Sequence, residues 1–179
     1  MVPRWPQRAA TGPTLRALPH RPLPPFAMTP APCPPDAAPT RLALGIGLRA
    51  GAQAAALHAL WQQAQALLPA LTPAAVQAVA ALPHRVAHPA LAQWLAECGL
   101  GRAHTVAVPP QMLAAQPTHT ASPQSLARYG CGSVAEACAL WAAASAGGHA
   151  SLLLPRLVAA CGSATLAVAT PSSLQGLCP

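Results

Sequence analysis

The spacing of apolar positions changes several times between residues 42 and 170, and each change marks an element. Leu42-Ala43-Leu44-Gly45-Ile46-Gly47 is an unbroken apolar run closed by glycine, which predicts a short buried strand. Beyond Gly51, the positions Leu57, Leu60, Trp61, Ala64, Leu67 and Leu68 recur at helical spacing, and Pro69 closes this first helix. Val76 to Leu82 is a second run of strand length, although its alanines would also suit a helix, and Pro83 ends it in either case. Pro89 opens a helix with Leu91, Trp94, Leu95 and Cys98 on one face, stopped by Gly99 and Gly101. Thr105 to Val108 reads as the next strand.

Pro109 to Ala115 predicts one or two helical turns, Thr118 to Ala121 a polar exposed loop, and Ser122-Pro123 the cap and first position of a short helix through Arg128. In Gly132-Ser133-Val134-Ala135-Glu136, Ser133 can accept from the amide three residues on while Glu136 reaches back to the cap. That capping box opens a helix running to about Ala146, and Gly147-Gly148 stops it. Ser151 to Pro155 and Ala164 to Thr170 are apolar runs joined through Cys161-Gly162-Ser163, as in an antiparallel hairpin. The alternation predicts an α/β fold: a single three-layer αβα domain whose sheet is mostly parallel, with a C-terminal antiparallel hairpin.

Composition bounds this domain at residues 41–170. Residues 1–40 hold just over half of the 23 prolines with no apolar periodicity between them, the pattern of a disordered tail, and residues 171–179 form a second tail. Residues 1–27 contain arginine and no acid, as transit peptides do, yet proline at this density forbids an amphipathic helix, so Met28 is the expected start. Hydrophobic residues make up 53% of the chain and aromatics 3%, which implies a core of Leu, Val and Ala. No apolar run is long enough to span a bilayer, and with no signal peptide the expectation is a soluble, cytoplasmic protein.

The formal charge of +7 resembles a nucleic-acid signal until it is mapped. Arg4, Arg8, Arg16 and Arg21 precede the folded region, and the remaining arginines are scattered singly without aromatic interleaving, which argues against a phosphate-tracking groove. The six cysteines form no CxxC pair, so reduced, mostly buried thiols are expected. His84 and His88 stand four apart, but Pro83 and Pro89 bracket them without a third ligand, so a surface loop is expected there, and no metal or cofactor is expected. The other histidines have no nucleophile beside them, so solvated or capping roles are expected. Trp61, Trp94 and Trp141 fall on helical apolar faces, where core packing is the default.

The most informative segment is Gly45-Ile46-Gly47-Leu48-Arg49-Ala50-Gly51. A glycine-rich crossing from strand to helix can aim backbone amides at one spot, and Arg49 adds a fork of donors for a carboxylate or phosphate. Its GxGxxxG spacing is one residue too long for a dinucleotide fingerprint, and no Walker GK[ST] follows. General acid/base chemistry has three acids to draw on: Asp36 in the tail, Glu97, and Glu136, which is the candidate base with a histidine as the alternative.

These segments, taken in order, resemble the CobE proteins and the C-terminal domain of CbiG, both of cobalamin biosynthesis, across about residues 41 to 170. Gly45 to Gly51 is similar to that family's GIGCRRG-like turn, with Leu48 in place of the usual cysteine. Gly132-Ser133-Val134-Ala135-Glu136-Ala137 resembles its GSVAEA helix start. Leu152 to Arg156 and Thr165 to Ala169 are similar to its two closing strands. Arg85 and His88 stand where the family usually has a lysine and a glutamate. The resemblance implies a ligand that is a carboxylate-rich corrin or precorrin intermediate, held by Gly45, Gly47, Arg49, Gly51, Gly132, Ser133, Glu136 and Arg156. It also implies an accessory or carrier role, with a corrin-ring methyltransferase as candidate partner, and an alanine-rich exposed face would allow a homo-oligomer. The alternatives are an enzyme that hydrolyses or rearranges a precorrin, and a small phosphate- or nucleotide-binding α/β module.

Overall fold

Strand β1 (Leu42–Leu48) alternates large and small residues, and that alternation sets the layers of the fold. In the computed structural model, which describes residues 41–172, Leu42, Leu44 and Ile46 enter one core while Ala43 enters a second on the opposite face. The predicted tail of residues 1–40, the expected start at Met28 and residues 173–179 of the second predicted tail lie outside the described residues, while Pro171 and Ser172, assigned to that second tail, instead continue the last strand of the sheet.

β1 pairs in parallel with β2 (Val76–Ala81), which pairs in parallel with β3 (His104–Ala107). On its other side β1 pairs antiparallel with β5 (Ala164–Ser172), and β5 with β4 (His149–Val158), giving the order β3-β2-β1-β5-β4. Four strands therefore run one way and β5 alone opposes them, so the expected mixed sheet holds. β1 continues one residue past the predicted Gly47 because its ladder with β5 extends to the Leu48–Ala164 pair.

Helices α1 (Ala54–Leu67) and α3 (Pro89–Glu97) cover the large-residue face. Their Trp61 and Trp94 rings meet edge to face with centroids 6.0 Å apart, a geometry the ring quadrupoles favour. The opposite face carries small residues, Ala43, Ala80, Ala167 and Ala169, and against them lies α5 (Val134–Gly147) through Ala135, Cys138 and Ala139. α5 is apolar on nearly all sides because Val108, Leu113 and Cys131 pack in the same cluster, so its outward face is covered as well. Trp141 is half-buried against this second core, and the expectation that all three tryptophans pack is met.

Three local expectations are corrected. Pro83 opens a one-turn helix, α2 (Pro83–Val86), where a surface loop was expected, and His88 then caps α3, its Nδ1 accepting from Ala90 N at 3.2 Å. α4 (Pro123–Tyr129) begins after Ser122, but that side chain makes no capping hydrogen bond. β4 outruns its predicted Ser151–Pro155 limits, passing through Pro155 as an edge strand. Register shifts at Leu152/Leu154 and Leu154/Leu157 place the proline in a bulge, where its missing N–H is not required.

Candidate functional site

A cavity of about 620 Å³ opens at the end of the sheet where β1, β2 and β4 finish and β5 begins. This is the edge at which open α/β sheets generally bind ligands. Four arginines line it, one from each of four segments: Arg49 after β1, Arg85 in α2, Arg128 in α4 and Arg156 in β4. His84 stands with them, Ser122, Gln124 and Ser125 add neutral donors, and Ile46, Leu82, Val134 and Val158 supply apolar wall. Among the described residues no acidic side chain lines the cavity, and none of the four arginines is in an ion pair. A concentrated, unneutralised positive charge over apolar wall suits a ligand with several carboxylates on an apolar body.

The β1–α1 turn contributes differently from its sequence expectation. Arg49 N donates to Ser163 O at 2.9 Å and Ala52 N to Arg49 O at 3.1 Å, so these amides are occupied within the protein and do not form an anion cradle. Gly47 lines the cavity and Gly51 does not. Gly45 lies beneath α5, where a Cβ would run into Ala135 O and stand 2.5 Å from Ala139 N, which makes it a packing glycine. The charged donors that the cavity presents are therefore its guanidinium groups, while the Arg49 and Ala52 amides are taken up within the protein. The turn itself is held from outside: since His88 Nδ1 accepts from Ala90, its Nε2 carries the proton and donates to Ala50 O at 3.0 Å.

Gly132, Ser133 and Glu136 stand behind the cavity wall and do not line it. Ser133 Oγ accepts from Glu136 N at 3.3 Å, which is half of the predicted capping box. The return bond is not made, because the Glu136 carboxylate turns elsewhere. Its Oε2 accepts from His119 N (2.7 Å) and Thr120 N (3.1 Å), and its Oε1 from Thr120 Oγ1 (2.7 Å) and Arg156 N (2.9 Å). Burial pushes this carboxyl up, but the bonds from Arg156, Thr120 and His119 together outweigh it and hold it below its ordinary value. Fully buried and with all four acceptor positions filled, Glu136 is a structural carboxylate, and the expectation of a general base there is corrected. The loop from Thr118, predicted to be merely exposed, is tied down by this group.

His84, Arg85 and Arg128 were not read from the sequence as site residues. The signal that could have found Arg85 is positional, since Pro83-His84-Arg85 directly follows the carboxyl end of a parallel strand. Arg128 has no such signal, because α4 reaches the cavity only through its loop. Partial burial and the neighbouring Arg85 and Arg128 push the His84 imidazole down from its ordinary value.

At the rim, Gly162 and Ser163 line the cavity beside the exposed Cys161. Its Sγ lies 2.9 Å from Ser163 Oγ, and that hydroxyl together with the Ser163 backbone pulls the thiol down. Cys138 is the opposite case, buried and pushed up to about 12 by burial and by Cys131. Iodoacetamide at neutral pH is expected to label Cys161 well before Cys98, Cys131 or Cys138, as read by peptide mass mapping. Equal labelling of Cys138 in native protein would contradict the fold around α5.

Away from the cavity, on the α1–α3 face, His58 Nε2 contacts Glu97 Oε2, and Cys98 Sγ lies 3.6 Å from His58 Nδ1. His58, expected to be solvated or in a capping role, thus ties α1 to α3. Among the described residues no group of three or more His, Cys, Asp or Glu could hold a metal ion, and no helix is long and apolar enough to cross a membrane.

Residues 42–169 match the family described as cobalamin synthesis G C-terminus. Among solved structures, the chain is similar to CobE, a protein from the cobalamin (vitamin B12) biosynthetic pathway. Identity is 29% and the TM-score 0.60, over 79% of this chain and 94% of that one. It is likewise similar to the cobalamin biosynthesis protein ChiG from Agrobacterium tumefaciens, with 26% identity and a TM-score of 0.51, over 74% of this chain and 99% of that one. A cobalamin biosynthesis protein G homologue from Sulfolobus solfataricus shares the fold, at 19% identity and a TM-score of 0.54, over 75% of this chain and 38% of that one. Among curated proteins no match is found.

Proposed function

Since the chain belongs to the cobalamin synthesis G C-terminal family, and so is a cobalamin biosynthesis protein of the CobE and CbiG kind, we propose that its arginine-lined cavity binds a carboxylate-rich corrin-ring intermediate. The observation that carries this reading is the convergence of Arg49, Arg85, Arg128 and Arg156 on one cavity that, among the described residues, no acid lines. Such an intermediate is an apolar ring with carboxylates around its edge, and the apolar wall and cationic rim match its two parts. We read the protein as a carrier or accessory: Glu136 is saturated with hydrogen bonds and Glu97 lies on another face, so neither carboxylate offers a base to the cavity, and His84, which does line it, stands beside Arg85 and Arg128 where it suits pairing with a ligand carboxylate. A carrier hands its ligand on, which makes a corrin-ring methyltransferase a reasonable recipient.

Titration of the protein with hydrogenobyrinic acid tests the reading. The expected result is co-elution on gel filtration with a shift of the corrin absorption bands, and loss of both when the carboxylates are converted to methyl esters. Equal binding of acid and ester, or no binding of either, would overturn it. A rise in melting temperature with ATP instead would favour a phosphate-binding module.

The position of His84 adds a pH dependence. In the free protein Arg85 and Arg128 oppose its protonation, whereas bound carboxylates favour it, so ligand binding takes up a proton. Affinity is therefore expected to rise as pH falls from about 8 to 6, an interval in which the ligand carboxylates stay ionised. Calorimetry in buffers of different ionisation enthalpy should register the proton uptake. His84→Ala should abolish the uptake.

A further inference from the structure

We infer that Glu136 is a positioning residue that clamps the two opposed walls of the cavity, setting the separation of Arg156 and Arg128; this rests on the proposal that the cavity binds a polycarboxylate. One wall is the β4 bulge. There Arg156 N, displaced from the β5 ladder by the register shift after Leu154, donates to Glu136 Oε1 at 2.9 Å while the side chain lines the cavity. The other wall is α4, reached from the Thr118–Ser122 loop, whose His119 and Thr120 donate three bonds to the same carboxylate.

The surroundings of that loop support the clamp. Ser122 N donates to Gly132 O at 2.8 Å. A Cβ on Gly132 would run into Thr120 O and stand 2.6 Å from Thr118 Oγ1, so glycine lets the loop close onto the start of α5. Ser133 Oγ holds the Glu136 amide, fixing the carboxylate at the third helical position, between the walls. The sequence motif Gly132-Ser133-x-x-Glu136 thus serves the site without touching its ligand.

The chemistry of the four donors makes the clamp asymmetric. In Glu136→Gln one oxygen becomes an NH₂, which cannot accept. The Thr120 hydroxyl can rotate and accept from that NH₂, whereas the backbone N–H groups of His119, Thr120 and Arg156 can only donate. The substituted amide therefore settles at the Oε1 position, keeps the loop, and strands the Arg156 N–H. Only the β4 wall is released.

Amide hydrogen exchange of the full chain, followed by NMR, tests this without ligand. In Glu136→Gln the Arg156 amide is expected to exchange about tenfold faster or more, with His119, Thr120 and the β2 residue Val79 unchanged. The affinity for hydrogenobyrinic acid should fall by about tenfold, and affinity for inorganic sulfate, which one arginine can hold, should stay the same. A role in overall folding alone would speed exchange at Val79 too. An unchanged Arg156 amide, equal losses for both anions, or an unchanged affinity for the acid would each overturn the inference. Should Glu136→Gln not fold, Thr120→Val removes one donor from the loop side: faster Thr120 exchange with weaker acid binding is then expected, and unchanged binding overturns the clamp. Wild-type protein that binds no hydrogenobyrinic acid would sink the proposed ligand, while the exchange pattern would still decide the clamp.

Discussion

Replacing Arg128 and Arg156 together with alanine is expected to weaken binding of hydrogenobyrinic acid by about a hundredfold or more, with the midpoint of unfolding nearly unchanged. Each guanidinium–carboxylate contact is worth roughly 1.5–3 kcal/mol, and two lost contacts multiply to that factor or beyond. Stability should hold because neither side chain is in an ion pair among the described residues. Arg156 Nε is buried with no hydrogen-bond partner among the described residues, so its removal relieves an unsatisfied donor. Arg128 lies 5.5 Å from the centroid of the Tyr129 ring, an exposed cation–π contact worth roughly 0.5–1 kcal/mol. Arg102→Ala, outside the cavity, serves as the control and should bind as wild type. Retention of affinity in the double variant would mean that the ligand binds elsewhere.

Gly45→Ala should destabilise the fold by about 3 kcal/mol or more, enough to lower the melting temperature by roughly 10 °C. The added methyl would meet the backbone of α5 at Ala135 and Ala139, and backbone cannot swing aside as a side-chain end can. α5 would have to lift from β1, opening the small-residue interface in which Ala43, Ala167 and Ala169 also pack. Thermal unfolding by circular dichroism measures the effect. Gly51→Ala makes the comparison clean, because a Cβ at Gly51 meets nothing within 4 Å and should leave the midpoint in place. Two glycines of one turn, equivalent by eye in the sequence, thus have opposite expectations.

The strands, helices and family were legible because they depend on local pattern. The apolar run at Leu42, the helical spacing from Leu57 to Leu67 and the Ser133 cap each act within a few residues, and the structure places an element at each. The boundaries that moved were those set by a partner strand: β1 gained Leu48 from β5, and β4 extended through Pro155 because an edge strand tolerates a bulge. The site was half legible. Arg49 and Arg156 were found beside well-kept motifs, whereas Arg85 stands in a segment that keeps the family's charge pattern only in part and Arg128 sits in a short helix with no motif of its own.

What the sequence determined by itself is the inventory: an α/β chain with a core of small residues, scattered arginines and almost no acids. Tertiary structure decided what that inventory does. The crossing of β1, β2, β4 and α4 at one sheet edge collects single arginines, far apart in the chain, into one uncompensated cationic cavity. The same packing removed Glu136 from the list of bases by surrounding it with donors from residues 16 to 20 positions away. Charge convergence and acceptor saturation are both sums over neighbours in space. A linear pattern reports the groups but not that sum, which is why the glycine-rich turn that looked like an anion cradle proved to be one rim of a pocket built on guanidinium groups.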